Sequence, residues 1–326
     1  MSSSLPRRAA LARLLAASAW GVLPAAPAAF AQATAADAPS APLPVVASFS
    51  ILADWVRQVG GEQVQVSTLV GADGDAHSFS PSAQDARTLQ GARVLVVNGL
   101  GFEGWLPRLV AASGFQGREI VASAGVKAHP FKEAGHDDHD HDHDHDHGHG
   151  PSDPHAWQSV PNARLYVRNI AAGLAQADPA HAEDYRARAL AYDQQLQALD
   201  AEIRTAVAAI PAARRQLVTT HDAFGYFEET YGVRFIGARG MAGEDEPSAA
   251  AIARLARQIR QDRIPAVFLE NIGDPRLMQQ LARETGARIG GRLYSDALSR
   301  PGEGGATYLE MMRGNLRELS AALRPD

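Results

Sequence analysis

The sequence predicts an α/β fold: two Rossmann-like lobes with parallel sheets, joined by a long rigid connecting helix, with a ligand cleft between the lobes. Three observations predict it. Short apolar runs alternate with amphipathic stretches, the pattern of strands joined by crossover helices. The scheme of strand, helix ending at glycine, strand occurs at residues 45–66 and again at 216–236. Between the two copies stands a helical stretch over 180–209, roughly 45 Å long at about 1.5 Å per residue.

The elements follow in order. Residues 44–48 form a buried apolar strand, and 51–59 a helix with Ile51, Leu52, Trp55 and Val59 on one side, stopped by Gly60 and Gly61. Residues 64–70 alternate as a strand, 82–90 read as a helix and 93–97 as a strand; 104–112 is helical and 119–121 strand-like. The pattern then turns helical at 162–176, and Asp178-Pro179 punctuates it, with Asp178 suited to an N-cap and Pro179 to a first turn. The second half brings strand 216–220, helix 223–231, strand 233–236, helix 248–261, strand 266–270, helix 275–285, strand 287–289 and helix 307–323. The expected division is an N-terminal lobe over 43–178, the connecting helix over 179–210 and a C-terminal lobe over 211–326. Ligands of open parallel sheets bind at the carboxyl ends of strands, in a cleft.

The first residues stand outside this scheme. Arg7, Arg8 and Arg13 precede an apolar run over 14–30, and Ala29-Phe30-Ala31 is a small-x-small site. That three-part pattern is a secretory signal, with cleavage expected after Ala31. The run contains Pro24 and Pro27 and is short for a membrane span. The Arg7-Arg8 pair leaves Sec and twin-arginine export both open. Residues 32–42, rich in Ala and Pro, read as a flexible lead-in.

The formal net charge is −6, and loss of the three leader arginines makes it more negative. Such a chain has no general attraction for nucleic acid or anionic lipid. It contains no cysteine, which excludes disulfides, thiolate ligands, cysteine nucleophiles and lipidation at an N-terminal cysteine. The expected product is free in the periplasm, and nothing in the sequence demands an oligomer, so a monomer is expected.

Of 12 histidines, seven lie in one low-complexity segment over 136–149: His136, His139, His141, His143, His145, His147 and His149, interleaved mainly with aspartate. With no apolar residue, it is expected to be a mobile loop. It reads either as accessory metal capture, many imidazoles at high local concentration feeding one ordered site, or as a solvated spacer. Elsewhere, His77 follows a strand in a glycine-rich turn, His155 follows the loop in Asp153-Pro154-His155-Ala156-Trp157, His221 ends the strand 216–220, and Asp296 follows the last strand. Three imidazoles and one carboxylate suit tetrahedral zinc, and four protein donors leave no open position for catalysis. Each histidine taken singly reads equally well as a core or loop-capping residue. Asp75 and Asp222 adjoin these histidines and read either as carboxylates orienting an imidazole or as solvated acids. His129 and His181 read as structural or exposed, Trp157 as a wall of the cleft, and Glu270 as a strand-end carboxylate without an assigned partner.

Several motifs in register carry a resemblance: Asp75-Ala76-His77-Ser78-Phe79-Ser80-Pro81, Asp153-Pro154-His155-Ala156-Trp157, Thr220-His221-Asp222-Ala223-Phe224-Gly225-Tyr226, Glu246-Pro247-Ser248 and Tyr294-Ser295-Asp296. The sequence resembles the metal-binding solute-binding proteins of zinc and manganese ABC importers, called cluster A-I, over nearly its whole length. The resemblance implies two α/β lobes bridged by a long helix, with the metal site in the interlobe cleft and His77, His155, His221 and Asp296 as ligands. Manganese-type members carry a carboxylate at the third position; His221 there favours Zn2+ as cargo. The likeness is strongest to the zinc subgroup that works with a separate periplasmic zinc metallochaperone, so the implied partners are an inner-membrane ABC permease and such a chaperone. The sequence departs from the family in having Ala76 where proline is usual and in lacking the cysteine pair of some zinc members.

Three other readings stand beside this one: a zinc hydrolase, a periplasmic zinc buffer or chaperone that never docks on a permease, and the same importer role for manganese or iron. The hydrolase lacks its signature, since no His-Glu-x-x-His occurs. It would also need an open coordination position and a base.

Overall fold

A computed structural model describes residues 41–130, 152–240 and 247–324. The signal segment, most of the lead-in, the His/Asp segment 136–149 and Glu246 lie outside the described residues.

Two four-stranded sheets of the same design form the frame. The first contains β1 (Leu43–Phe49), β2 (Val64–Val70), β3 (Val94–Val97) and β4 (Arg118–Val121), in the order β2-β1-β3-β4. The second contains β5 (Gln216–His221), β6 (Arg234–Arg239), β7 (Ala266–Glu270) and β8 (Arg288–Leu293), in the order β6-β5-β7-β8. All six strand pairs are parallel. The central strands are covered on both faces, which is why they read as unbroken apolar runs rather than alternating ones. Val45, Val46 and Ala47 are buried, as are all four residues of β3.

Helices α1 (Ser50–Gly60), α2 (Ala83–Gln90) and α3 (Leu106–Ser113) complete the first lobe. Ser82 starts α2 with a capping box, its hydroxyl accepting from Gln84 and Asp85 while the Asp85 carboxylate accepts the Ser82 amide. Two helices then pair: α4 (Val160–Ala177) and α5 (Ala182–Ala208). Beyond them lie α6 (Gly225–Tyr231), α7 (Ala249–Gln261), α8 (Arg276–Thr285) and α9 (Tyr308–Leu323).

The long helix starts later than the sequence suggests. Asp178 does not cap it: its carboxylate accepts from His181 Nδ1 (2.7 Å) and from the Tyr185 hydroxyl (2.7 Å). Residues Pro179–His181 form a 3-10 turn, and α5 begins at Ala182. Its 27 residues span about 40 Å. Tyr185, Ala189, Tyr192, Leu196, Leu199, Ile203 and Val207 are buried along it, spaced by three and four as a single core-facing stripe requires. That stripe joins one continuous core reaching from β1 and α1 to α9 and to Leu217, Phe224 and Phe268 of the second lobe.

The ends of the stretch carrying the His/Asp segment are fastened. Pro130 and Ser152 form an isolated antiparallel bridge, and the Asp153 amide donates to the His129 carbonyl at 3.0 Å. Tyr226 of α6 ties both sides, its hydroxyl accepting from the His129 amide (3.2 Å) and donating to the Asp153 carbonyl (3.1 Å).

Candidate metal centre

Four side chains meet at the carboxyl ends of the strands. His77 lies in the turn after β2, His155 just before α4, His221 is the last residue of β5 and Asp296 follows β8 by three residues. Two aspartates shape the first two positions by the same local device. Asp75 Oδ1 accepts the His77 amide at 2.8 Å, and Asp153 Oδ1 accepts the His155 amide at 2.9 Å. Both are Asx turns, in which the carboxylate replaces a backbone acceptor two residues earlier. Their second roles diverge. Asp75 Oδ2 accepts from the Ser78 hydroxyl, whereas Asp153 Oδ1 also accepts from His155 Nδ1 at 2.8 Å.

His221 is held in the corresponding way by a more distant residue. Glu270, the last residue of β7, takes the His221 amide on Oε1 (3.1 Å) and His221 Nδ1–H on Oε2 (2.5 Å). Adjacent parallel strands thus carry a base and its orienter at neighbouring ends. With Nδ1 donating to a carboxylate, Nε2 faces the centre and is the nitrogen that would bind a metal once its proton is displaced. Asp222 makes no hydrogen bond to an imidazole among the described residues. Burial, with the nearby Asp153 carboxylate, pushes its pKa up to about 6.

The donor atoms crowd together. His77 Nε2 lies 3.1 Å from His155 Nε2 and 3.3 Å from Asp296 Oδ2. His221 Nε2 is 3.2 Å from Asp296 Oδ2, and His155 Nε2 is 3.6 Å from Asp296 Oδ1. All four donors fall within 4.8 Å of one another. Bonds of roughly 2.0–2.2 Å to a tetrahedral ion would set the donors about 3.3–3.6 Å apart, close to the separations of the pairs just given. Three of the four are buried, His155 and Asp296 with no exposed surface and His221 at 3%; His77 is partly buried. Among the described residues Asp296 Oδ1 has no hydrogen-bond partner, as suits a buried oxygen that would bind a cation.

The charges respond to this crowding. Burial opposes a charged imidazole at His221, but Glu270 and Asp296 overcome it and hold the pKa well above the ordinary histidine value. Burial would raise the Asp296 pKa, yet His221 and His155 keep it well below the usual carboxylate range. Without metal, a proton on His221 therefore compensates the two acids.

His129 and His181, also singled out from sequence, lie apart from the quartet. His129 stacks on Tyr226 (centroids 4.0 Å apart, 13° between planes) with Nε2 against Glu229, and His181 belongs to the Asp178 turn. Trp157 packs edge-on to His155 at 5.2 Å, and its indole N–H donates to the Ser295 carbonyl at 2.8 Å. Sequence reasoning missed Phe102, whose ring sits edge-to-face on His77 at 4.7 Å; no local pattern marks it, because its contact is made across the fold. The Asp153–His155 pairing did have a signal, since Asp-x-His places an Asx-turn carboxylate beside the following imidazole.

Known proteins resemble this chain in sequence and fold. A family model described as zinc-uptake complex component A, periplasmic (ZnuA) matches residues 45–322. The chain is 33% identical over 274 residues to the manganese-binding lipoprotein MntA of Halalkalibacterium halodurans, covering 84% of this chain and 86% of that one. It is 31% identical over 270 residues to the iron-binding protein YfeA of Yersinia pestis, 82% of each chain. The solved periplasmic zinc binding protein TroA from Treponema pallidum matches with a TM-score of 0.79 at 28% identity, covering 87% of this chain and all of that one. A manganese-bound periplasmic metal binding protein from Candidatus Liberibacter asiaticus matches at 0.74 and 27%, covering 86% and 99%. With a match over this much of its length, the chain belongs to the ZnuA family, the cluster A-I solute-binding proteins that carry metal ions for ABC importers and catalyse no reaction.

Proposed function

We propose that this protein captures Zn2+ at His77, His155, His221 and Asp296 and delivers it to the permease of an ABC importer. The observation that carries the reading is the donor set: three imidazole nitrogens and one carboxylate, mostly buried and with neighbouring donors close to tetrahedral spacing. Nitrogen-rich tetrahedral sites suit zinc, whereas harder ions favour more oxygens and higher coordination. In this reading residues 1–31 direct export and are removed, residues 43–178 and 211–326 act as the two lobes about the 179–210 connector, and the protein works in the periplasm as a monomer. The histidines of 136–149 gather zinc at low affinity, and a periplasmic zinc metallochaperone is a second donor.

Competition with a chelator tests this, on the whole protein and on a variant lacking residues 136–149. One tight zinc in both supports the quartet as the principal site. Loss of tight binding on deletion moves the chemistry to the His/Asp segment and makes the protein a zinc buffer.

A second reading keeps the importer role with manganese or iron as cargo. Relatives named for manganese and iron binding favour it, as does the placement of both Asp296 oxygens toward the imidazoles, since a bidentate carboxylate would supply a fifth bond. Zinc and manganese affinities measured side by side decide between the two.

A further inference from the structure

We propose that Phe102 sets the coordination number at this centre and is thereby the specificity-determining residue that disfavours six-coordinate cations; the inference rests on the four-residue zinc reading above. Phe102 arrives on an unusual turn. Gly99, Leu100 and Gly101, three residues in succession, all have positive φ (83°, 56° and 80°). A leucine in that region is strained, and such strain persists only where the surroundings impose it. At Gly99 a side chain is also excluded by space, because a Cβ would fall 2.7 Å from Val121 Cγ1.

The surroundings here do impose it. Glu103 is buried (7% exposed) and its carboxylate grips the turn, accepting from the Ser48 hydroxyl (2.6 Å), the Asn98 amide (2.6 Å) and the Gly99 amide (3.2 Å). The Asn98 side chain donates to the Pro154 carbonyl at 3.0 Å and accepts from the Tyr166 hydroxyl at 2.7 Å. The turn is thus bolted to the residue immediately before His155.

What the turn delivers is an apolar ring against two of the four ligands. Phe102 is 3% exposed and meets His77 at 4.7 Å and 83°, and His155 at 6.2 Å and 71°. Phe49 and Trp157 back it at 5.0 and 4.9 Å. An ion held by four residues is satisfied if it is zinc, which takes four donors readily. Manganese prefers six, oxygen-rich, and from this donor set would have to recruit water for the missing positions. A ring that offers no donor and fills space beside the ligands keeps that water out, so the penalty falls on the six-coordinate ion alone.

Cobalt(II) tests this directly, because its visible absorption is intense when four-coordinate and weak when six-coordinate. The proteins are wild type, Phe102→Ala, Phe102→Leu and Phe49→Leu, each with a thermal melt. Phe49 supports Phe102 from behind, so its variant loosens the packing while leaving the Phe102 ring beside the ligands. Wild type and Phe49→Leu are expected to show the intense band. In Phe102→Ala the band should weaken, and the preference for Zn2+ over Mn2+ should shrink by about tenfold. Phe102→Leu should move the same way to a smaller extent, and it carries the test if the alanine variant fails to fold. Wild-type spectra and preferences in both Phe102 variants would overturn the proposal, as would an equal change in Phe49→Leu. A wild-type protein lacking the intense band would instead overturn the four-residue site, and this inference with it.

Discussion

The two lobes have the same strand order but hold their ligands by different means. The first presents His77 and His155 from loops, each shaped by an Asx turn two residues upstream. The second presents His221 from the end of a central strand, fixed by a carboxylate on the neighbouring strand. Asp296 is the informative exception. It follows the last strand of the second lobe, yet its segment is tied to the first. The Ser295 carbonyl accepts from Trp157 (2.8 Å) and Gln158 (2.6 Å), the Leu298 amide donates to Ser50 (2.9 Å), and the Asp73 amide donates to the Leu298 carbonyl (2.9 Å). The segment keeps ties to its own lobe as well, since the Ala297 carbonyl accepts from Asn271 (3.1 Å) and Tyr294 pairs with Asn315; Asp296 is held from both lobes, whereas His221 is fixed within the second sheet.

Removing a ligand tests the comparison most severely. Structural zinc binding worth about 10–16 kcal/mol, shared among four donors, assigns about 3 kcal/mol to each, so His221→Ala and His77→Ala should each weaken zinc by more than about a hundredfold. Equal losses in isothermal titration would show a single cooperative cage. A small loss for His221→Ala would break the assignment of the second lobe's contribution.

Next come the orienting carboxylates. Glu270→Gln and Asp153→Asn should each weaken zinc by about 10- to 100-fold. Both keep the shape, so a thermal midpoint close to wild type would assign the loss to imidazole orientation. A Glu270→Gln protein with undiminished affinity would remove the second lobe's distinguishing device.

The charge arrangement sharpens the same contrast through pH. His221 has a raised pKa when folded, so its contribution to metal-free stability is fully present below about 6.5 and is lost as pH rises through the higher folded value. Asp296 has a depressed pKa, so its contribution is present above about 3.9 and is lost as pH falls through the lower folded value. Zinc displaces the imidazole proton and shows the opposite trend, binding more weakly as pH falls. The metal-free thermal midpoint should therefore decline on the alkaline side while the zinc-induced increase grows. Calorimetric scans between pH 5 and pH 9 check both, and parallel curves with and without zinc would contradict the protonated His221.

The smallest effect is expected at the tie between the lobes. Trp157→Phe removes one of two hydrogen bonds to the Ser295 carbonyl, a loss of about 1 kcal/mol of stability with little change in zinc affinity. Urea denaturation measures the first and titration the second. A large affinity loss would mean that Trp157 alone holds Asp296 in place.

The sequence revealed what is local or periodic. The apolar runs of β1, β3, β5 and β7 and the core-facing stripe of α5 follow from burial on both faces or on one stripe. The four ligands stood in motifs at strand ends. Hidden from it was everything decided between distant residues. Glu270 finds His221 only because β5 and β7 are neighbours, Phe102 meets His77 only through a strained turn, and the Asp296 segment is tied to the first lobe through contacts to Trp157 and Gln158. The local rule misled at Asp178, where His181 and Tyr185 compete for the capping carboxylate, and it left Asp75 and Asp222 undecided because adjacency to a histidine does not fix the direction of a side chain.

The bridge between Pro130 and Ser152, tied by Tyr226, makes the number of His-Asp repeats an adjustable quantity. The two ends are fastened by residues outside the repeats, and for loops in general each doubling of length costs only about 0.6 kcal/mol. A change in repeat number therefore leaves the fastened ends, and the four candidate ligands beyond them, in place.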